Sequence, residues 1–288
     1  MQAIGARIAF VVGIGLLIAA LVAVWLRHGD ITAAWQSLRR PDPMMLALLL
    51  CGIFINVLLT GIFFSVLLNR YGNVRIGEMT AVLAAATMLN FLPLQPGLLA
   101  RLAYHKTINN IRMRDAVKVQ FQALSISVLA TAAVLLLIVV ALALNLGIVW
   151  PTIALTGATA AAACVVPAAG HYLTAMTIRL LEVFTWAARY YAAFHLLDLP
   201  IDITGATALA CIAMTVSLAP LFGNGMGIRE WTTGVVSPYL TPNIMPLGLA
   251  AELVNRAAEI IVITVCGLVA LAWLAQHRRR IRQRKTRP

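Results

Sequence analysis

"NFLPLQPGLLAR" (Asn90–Arg101) and "APLFGNGMGIRE" (Ala219–Glu230) decide how this chain folds. Each follows about 17 apolar residues, Ile76–Leu92 and Ile203–Ala219. Each holds a Pro-Leu, then glycine, then an arginine eight or nine positions beyond the first proline. Seventeen helical residues rise only about 25 Å, short of the ~30 Å hydrocarbon core of a bilayer. Proline and clustered glycine then stop the helix. Short helical stretches follow, "LLARLAYHK" and "GIREWTTGVV". Each segment therefore reads as a half-helix that turns back to the face it came from. Such backbone is tolerated at membrane depth only when buried in protein or lining a wet cavity.

Composition supplies the membrane. Hydrophobic residues make up 61% of the chain and charged ones 11%, against about a quarter charged in a soluble domain. Mean hydropathy is +0.91. Six crossings are expected, at about 8–26, 44–68, 119–144, 151–170, 173–197 and 247–274. Pro151 opens the fourth, where its missing N–H costs nothing. The fold class is thus an all-α polytopic membrane protein of six transmembrane helices plus two re-entrant hairpins. Residues 1–276 form one domain, followed by a basic tail, 277–288.

Loop charge sets the orientation. With this count, Arg7, Arg70, Arg75, Lys106, Arg112, Arg114, Lys118, His171 and Arg179 fall on one side with the tail "HRRRIRQRKTRP". The positive-inside bias makes that side cytoplasmic and both termini internal. Loop 27–43 is the exception. The net charge of +12 reads as this bias, with the tail held at anionic inner-leaflet lipids; no nucleic-acid partner is implied.

A shift of 127 residues superposes the two half-helices. Ile76, Thr80, Ala81, Ala86, Pro93 and Leu94 meet identical residues, and one insertion aligns Gly97 with Gly225 and Arg101 with Arg229. Three crossings separate equivalent points, so units at about 44–146 and 173–274 form an inverted repeat. In transporters built this way the substrate site lies where the broken helices meet.

The motifs nominate substrate-contacting residues: Asn90, Pro93, Gly97 and Arg101 in the first, and Pro220, Gly223, Gly225, Gly227, Arg229 and Glu230 in the second. Exposed N–H groups at a helix start favour anions, and arginine grips phosphate through a planar fork. The other reading makes each arginine an interfacial cap or the partner of a nearby carboxylate. On the last span Glu252, Asn255, Arg256 and Glu259 share a face, as Arg179, Glu182 and Arg189 do on the fifth. Charge at that depth faces a cavity or a partner. Arg256, with a carboxylate one turn away on either side, is expected to pair with Glu252 or Glu259. The group is either a salt-bridge cluster joining both spans and the second hairpin, or a polar chamber; Arg179 and Glu182 read equally as interfacial. No Cys or His spacing suggests a disulfide or a metal site. No catalytic motif or nucleotide loop stands out, so neither an enzyme nor a cofactor is expected.

At the two opening motifs, "LNFLPLQPGLLAR" and "APLFGNGMGIRE", and more weakly at "AELVNRAAE", the chain resembles the flippase-like transmembrane domain of the lysylphosphatidylglycerol synthases, over about residues 8–276. The first motif departs from the family pattern at Gln95, where a basic residue is common, and at Leu98, where a glutamate is. The resemblance implies a lipid flippase or transporter of the bacterial-type inner membrane, moving an amphipathic lipid, anionic or isoprenoid, between leaflets. With Pro288 a dozen residues beyond the last span, lysyl transfer to lipid is not expected. The alternative is a lipid-binding accessory subunit of a membrane-embedded lipid- or glycan-modifying enzyme. A homo-oligomer or a partner enzyme stays open.

Overall fold

The computed structural model describes residues 2–26, 36, 38–92, 96–166, 169–218, 225–242 and 244–285, with 2–10 and 277–285 described by backbone alone. Among these the architecture is entirely helical: α1 (Gln2–Leu26), α2 (Pro43–Leu68), α3 (Ile76–Leu89), α4 (Pro96–Thr107), α5 (Met113–Ala143), α6 (Val149–Val165), α7 (Gly170–His195), α8 (Ile203–Ser217), α9 (Ile228–Leu240) and α10 (Met245–Lys285). Three helices, α2, α5 and α10 as far as Gln276, are long and apolar enough to cross a membrane. Only about a third of each apolar window is buried inside the protein; the rest, including Phe121, Leu136 and Val269, faces outward, as a lipid solvent allows. Of the other expected crossings, α6 has 17 residues, and α7 carries buried Arg179, Glu182 and Arg189. α10 runs on into the basic tail as far as Lys285. After Gly267 the sequence has no glycine or proline before Pro288, and its Arg, Gln and Lys residues are good helix formers.

Local chemistry starts the helices where they start. Asp42 accepts from the Met44 N–H at 2.8 Å with Pro43 in the first turn, and Asp202 accepts from the Gly205 N–H at 2.8 Å. Both are N-caps that satisfy otherwise orphaned donors.

α3 and α4 form a hairpin. At its outer end the Asn109 amide, just past α4, donates to Glu78 in the first turn of α3 at 3.0 Å. At its inner end Gly97 packs so closely that a Cβ would collide with the Ala86 carbonyl oxygen. α8 and α9 pair likewise: a Cβ on Gly205, at the start of α8, would stand 3.3 Å from the carbonyl oxygen of Leu240, at the end of α9. The glycines correspond. Gly97 lies against Asn90 and Gly225 against Ser217, the same register of the first arm.

α10 serves as a ruler for both hairpins. The α8–α9 hairpin has its outer end at the start of α10, where Ser237 lies against Gly248 and Gly234 against Leu249. Its inner end reaches Glu252 and Glu259 through Arg229. The α3–α4 hairpin approaches from the other end. Val82 and Tyr104 lie beside Leu274, Met88 lies against Gly267, and Phe91 reaches Arg256. The two inner ends thus converge on the middle of α10 from opposite directions.

The packing has an internal correspondence. Exchanging α2 with α7, α3 with α8, α4 with α9 and α5 with α10 turns the contact α3·α10 into α8·α5, α9·α10 into α4·α5, α2·α3 into α7·α8, and α2·α10 into α7·α5. The contact α2·α7 maps onto itself. α1 and α6 stand outside the scheme: α1 packs on α9 and α10, α6 on α5 and α7.

Candidate functional site

Where the hairpins converge, seven polar side chains come together: Arg189 from α7, Arg229 and Glu230 from the first turn of α9, and Glu252, Asn255, Arg256 and Glu259 from α10. All are between 0 and 6% exposed. Three arginines face three glutamates, so the group as ionised carries no net charge.

Arg229 is the hub. Its Nε donates to Glu252 Oε1 at 2.5 Å and its Nη2 to Glu259 Oε2 at 2.7 Å. Glu259 Oε2 also accepts from Arg189 Nη2 at 3.0 Å. Arg189 gives Nε and Nη2 to Asn255 Oδ1 at 3.2 and 3.0 Å, and Nη1 to Asn56 Oδ1 of α2 at 3.2 Å. Its stem fits because Gly52 has no side chain; a Cβ there would stand 2.8 Å from Arg189 Cγ. The Trp186 ring lies 4.2 Å from the Arg189 guanidinium and 5.3 Å from that of Arg229, adding cation–π attraction. Charged hydrogen bonds of this kind are the strong ones, and their geometry is what makes burial of the ions tolerable.

Arg256 pairs with one of its two expected carboxylates, Glu259. It lies 3.6 Å from Glu259 and 3.6 Å from Glu230, while Glu252 is held by Arg229. One helical turn does place Glu252 near Arg256, but the shorter approach of Arg229 from α9 takes the carboxylate. Neither Arg256 nor Glu230 completes a hydrogen bond: Arg256 Nε, Nη1 and Nη2 and both Glu230 oxygens are buried without a partner. Phe91 covers the Arg256 guanidinium at 5.5 Å.

Beside the cluster lies a chamber of ≈220 Å³ lined by Thr87 near the inner end of α3, Ser217 at the end of α8, Ser127, Arg179, Arg229 and Glu259. A second, of ≈130 Å³, adjoins it through Thr60, Glu182, Trp186 and Glu259. Arg179 and Glu182 therefore stand beside these chambers; they are 8 and 4% exposed. Arg179 Nη1 donates to Glu182 Oε2, and Thr60 Oγ1 donates to Glu182 Oε1 at 2.9 Å.

The first motif is separate from this cluster. Arg101 donates to Gln120 of α5 and lies 4.3 Å over Phe64 of α2, beside a ≈290 Å³ cavity against the end of α10. Its surroundings are those of Arg229 under the helix exchange, with Phe64 for Trp186 and neutral Gln120 for Glu252. Asn90 and Gly97 shape the turn: Asn90 Oδ1 accepts from the Leu98 N–H at 3.2 Å. Gly225 and Gly227 hold φ of +73° and +83°, open to glycine at no steric cost, and Gly227 lies against the Gly13 carbonyl of α1. Pro93, Pro220 and Gly223 lie outside the described residues. Asn56, Thr60 and Trp186 are site residues that the motifs did not nominate; Gly52, Asn56 and Thr60, four apart on apolar α2, were the available signal. No group of metal-ligating side chains occurs among the described residues. No family model, curated protein or solved structure matches this chain.

Proposed function

We propose that this protein is a membrane lipid transporter of the flippase type, moving an amphipathic lipid between leaflets without enzymatic chemistry of its own. The observation that carries the reading is the net-neutral set of buried arginines and glutamates beside a chamber, at the point where two hairpins meet on one helix. Mere anchoring does not call for buried charge; a polar head group crossing hydrocarbon does. If α10 spans the bilayer, hairpins that approach it from its two ends open toward opposite leaflets. That is the alternating-access geometry of an inverted repeat with re-entrant hairpins. The resemblance to the flippase-like domain of the lysylphosphatidylglycerol synthases points the same way, and positive-inside charge supports cytoplasmic termini in a bacterial-type inner membrane.

The test is lipid movement in reconstituted vesicles, read from the fraction of fluorescent lipid protected from a membrane-impermeant quencher. The parent protein is expected to accelerate exchange, and Arg229→Lys, which keeps charge but loses the fork, to slow it by about tenfold or more while remaining folded. A parent protein that moves no lipid of any class refutes transport. Binding without movement would make it an accessory subunit.

A further inference from the structure

Arg256 stands at a boundary. On one side is the charged cluster; on the other it lines a groove of ≈700 Å³ between α1 and α10, walled by Leu17, Leu21, Val24, Leu253, Ala257 and Ile260. The groove is otherwise apolar and of the size of a lipid-like ligand site. α1 is fixed in place as its wall: the Trp231 indole donates to the Leu16 carbonyl at 2.8 Å, and Gly227 admits α1 at Gly13.

Arg256 is the groove's polar edge, and Glu230 stands behind it at 3.6 Å; three donor nitrogens of Arg256 and two acceptor oxygens of Glu230 are buried without a hydrogen-bond partner, in residues 2 and 0% exposed. Buried groups of this kind are costly unless something completes them. The completing group has to accept from a guanidinium and donate to a carboxylate about 3.6 Å away. A hydroxyl does both. A phosphate accepts from Arg256 but is repelled by Glu230, and it adds charge to a cluster that already balances.

Resting on the transport reading, and naming its substrate class, we infer that Arg256 and Glu230 hold the head group of a net-neutral, hydroxyl-rich amphiphile whose hydrocarbon lies in the α1–α10 groove. Its hydroxyls accept from the Arg256 fork and donate to Glu230, completing both. The anionic head group implied by the motif arginines is not the one this pair selects.

The test offers the full-length protein in detergent an equimolar mixture of monoglucosyl-diacylglycerol, phosphatidylethanolamine and phosphatidylglycerol with matched chains, and reads retained lipid by native mass spectrometry. The glucosyl lipid is expected to be retained about tenfold over phosphatidylglycerol, and Arg256→Gln or Glu230→Gln to remove that preference. Should those variants not fold, Ala257→Trp, on the exposed wall of the groove, is expected to cut retention about tenfold with no change in thermal stability. Preferential retention of phosphatidylglycerol or phosphatidylethanolamine, equal retention of all three, or Ala257→Trp retaining lipid like the parent overturns the inference. Movement of phosphatidylglycerol without glucosyl-lipid retention sinks this inference and leaves transport standing; glucosyl-lipid retention without movement of any lipid does the reverse.

Discussion

Arg229→Leu isolates one interaction. Arg229 holds two carboxylates, but they depend on it unequally. Glu259 keeps Arg189 at 3.0 Å and Arg256 at 3.6 Å. Glu252, 0% exposed, keeps no salt bridge, only neutral neighbours: the Asn255 amide at 3.4 Å and the Tyr190 hydroxyl. The variant therefore strands one buried carboxylate. Protonation limits the damage: at pH 7.3, three units above the ordinary glutamate value, neutralising it costs about 4 kcal/mol, within the ~3–5 kcal/mol typical of breaking a buried pair. Glu252→Gln alone removes one charged hydrogen bond while Arg229 keeps Glu259, a cost of about 1.5 kcal/mol. In the double variant nothing is stranded, so its cost should fall to about 2 kcal/mol, leaving a coupling energy of about 3.5 kcal/mol. The assay is reversible unfolding of the four proteins in detergent titrated with dodecyl sulfate. A coupling below about 0.5 kcal/mol would mean that the two charges do not meet, and the hub assignment of Arg229 would be wrong.

Gly97→Val should destabilise the protein by more than about 2 kcal/mol in the same assay, since its Cβ collides with the Ala86 backbone; parent-like stability would show that the hairpin arms are farther apart. Cysteines placed at Arg75 and Thr107, at the two outer ends of the α3–α4 hairpin, should be labelled from the same side of the membrane, and one placed at Leu240 from the other. Labelling of Arg75 and Thr107 from opposite sides would refute re-entrance.

How much of this was readable in the sequence depends on the kind of signal. Half-helix starts at Ile76 and Ile203 followed from the 127-residue shift, and both are helix starts. The charged face of α10 followed from spacing alone. Two features did not. The partner of Glu252 could not be read along α10, because Arg229 reaches it from another helix, 23 positions back in the chain. Asn56 and Thr60 sit in an otherwise apolar segment, and only the packing of α2 on α7 shows that they face the site instead of lipid. α1 carries no polar residue to reveal its neighbours within Ile8–Leu26, so its place as the wall of a groove was invisible.

The two hairpins correspond in shape but not in how they are fastened. α8–α9 is bolted to α7 and α10 by Arg229, whose release strips charge from charge in a buried setting. α3–α4 rests on α10 through small and apolar residues, Ala85 near Ala270 and Met88 on Gly267, with a neutral glutamine facing its arginine. Parting apolar surfaces next to lipid exposes nothing that lipid cannot solvate, whereas parting ions there does. On that ground α3–α4 is expected to part from α10 more easily than α8–α9, which would part only when something takes over the charges that hold it.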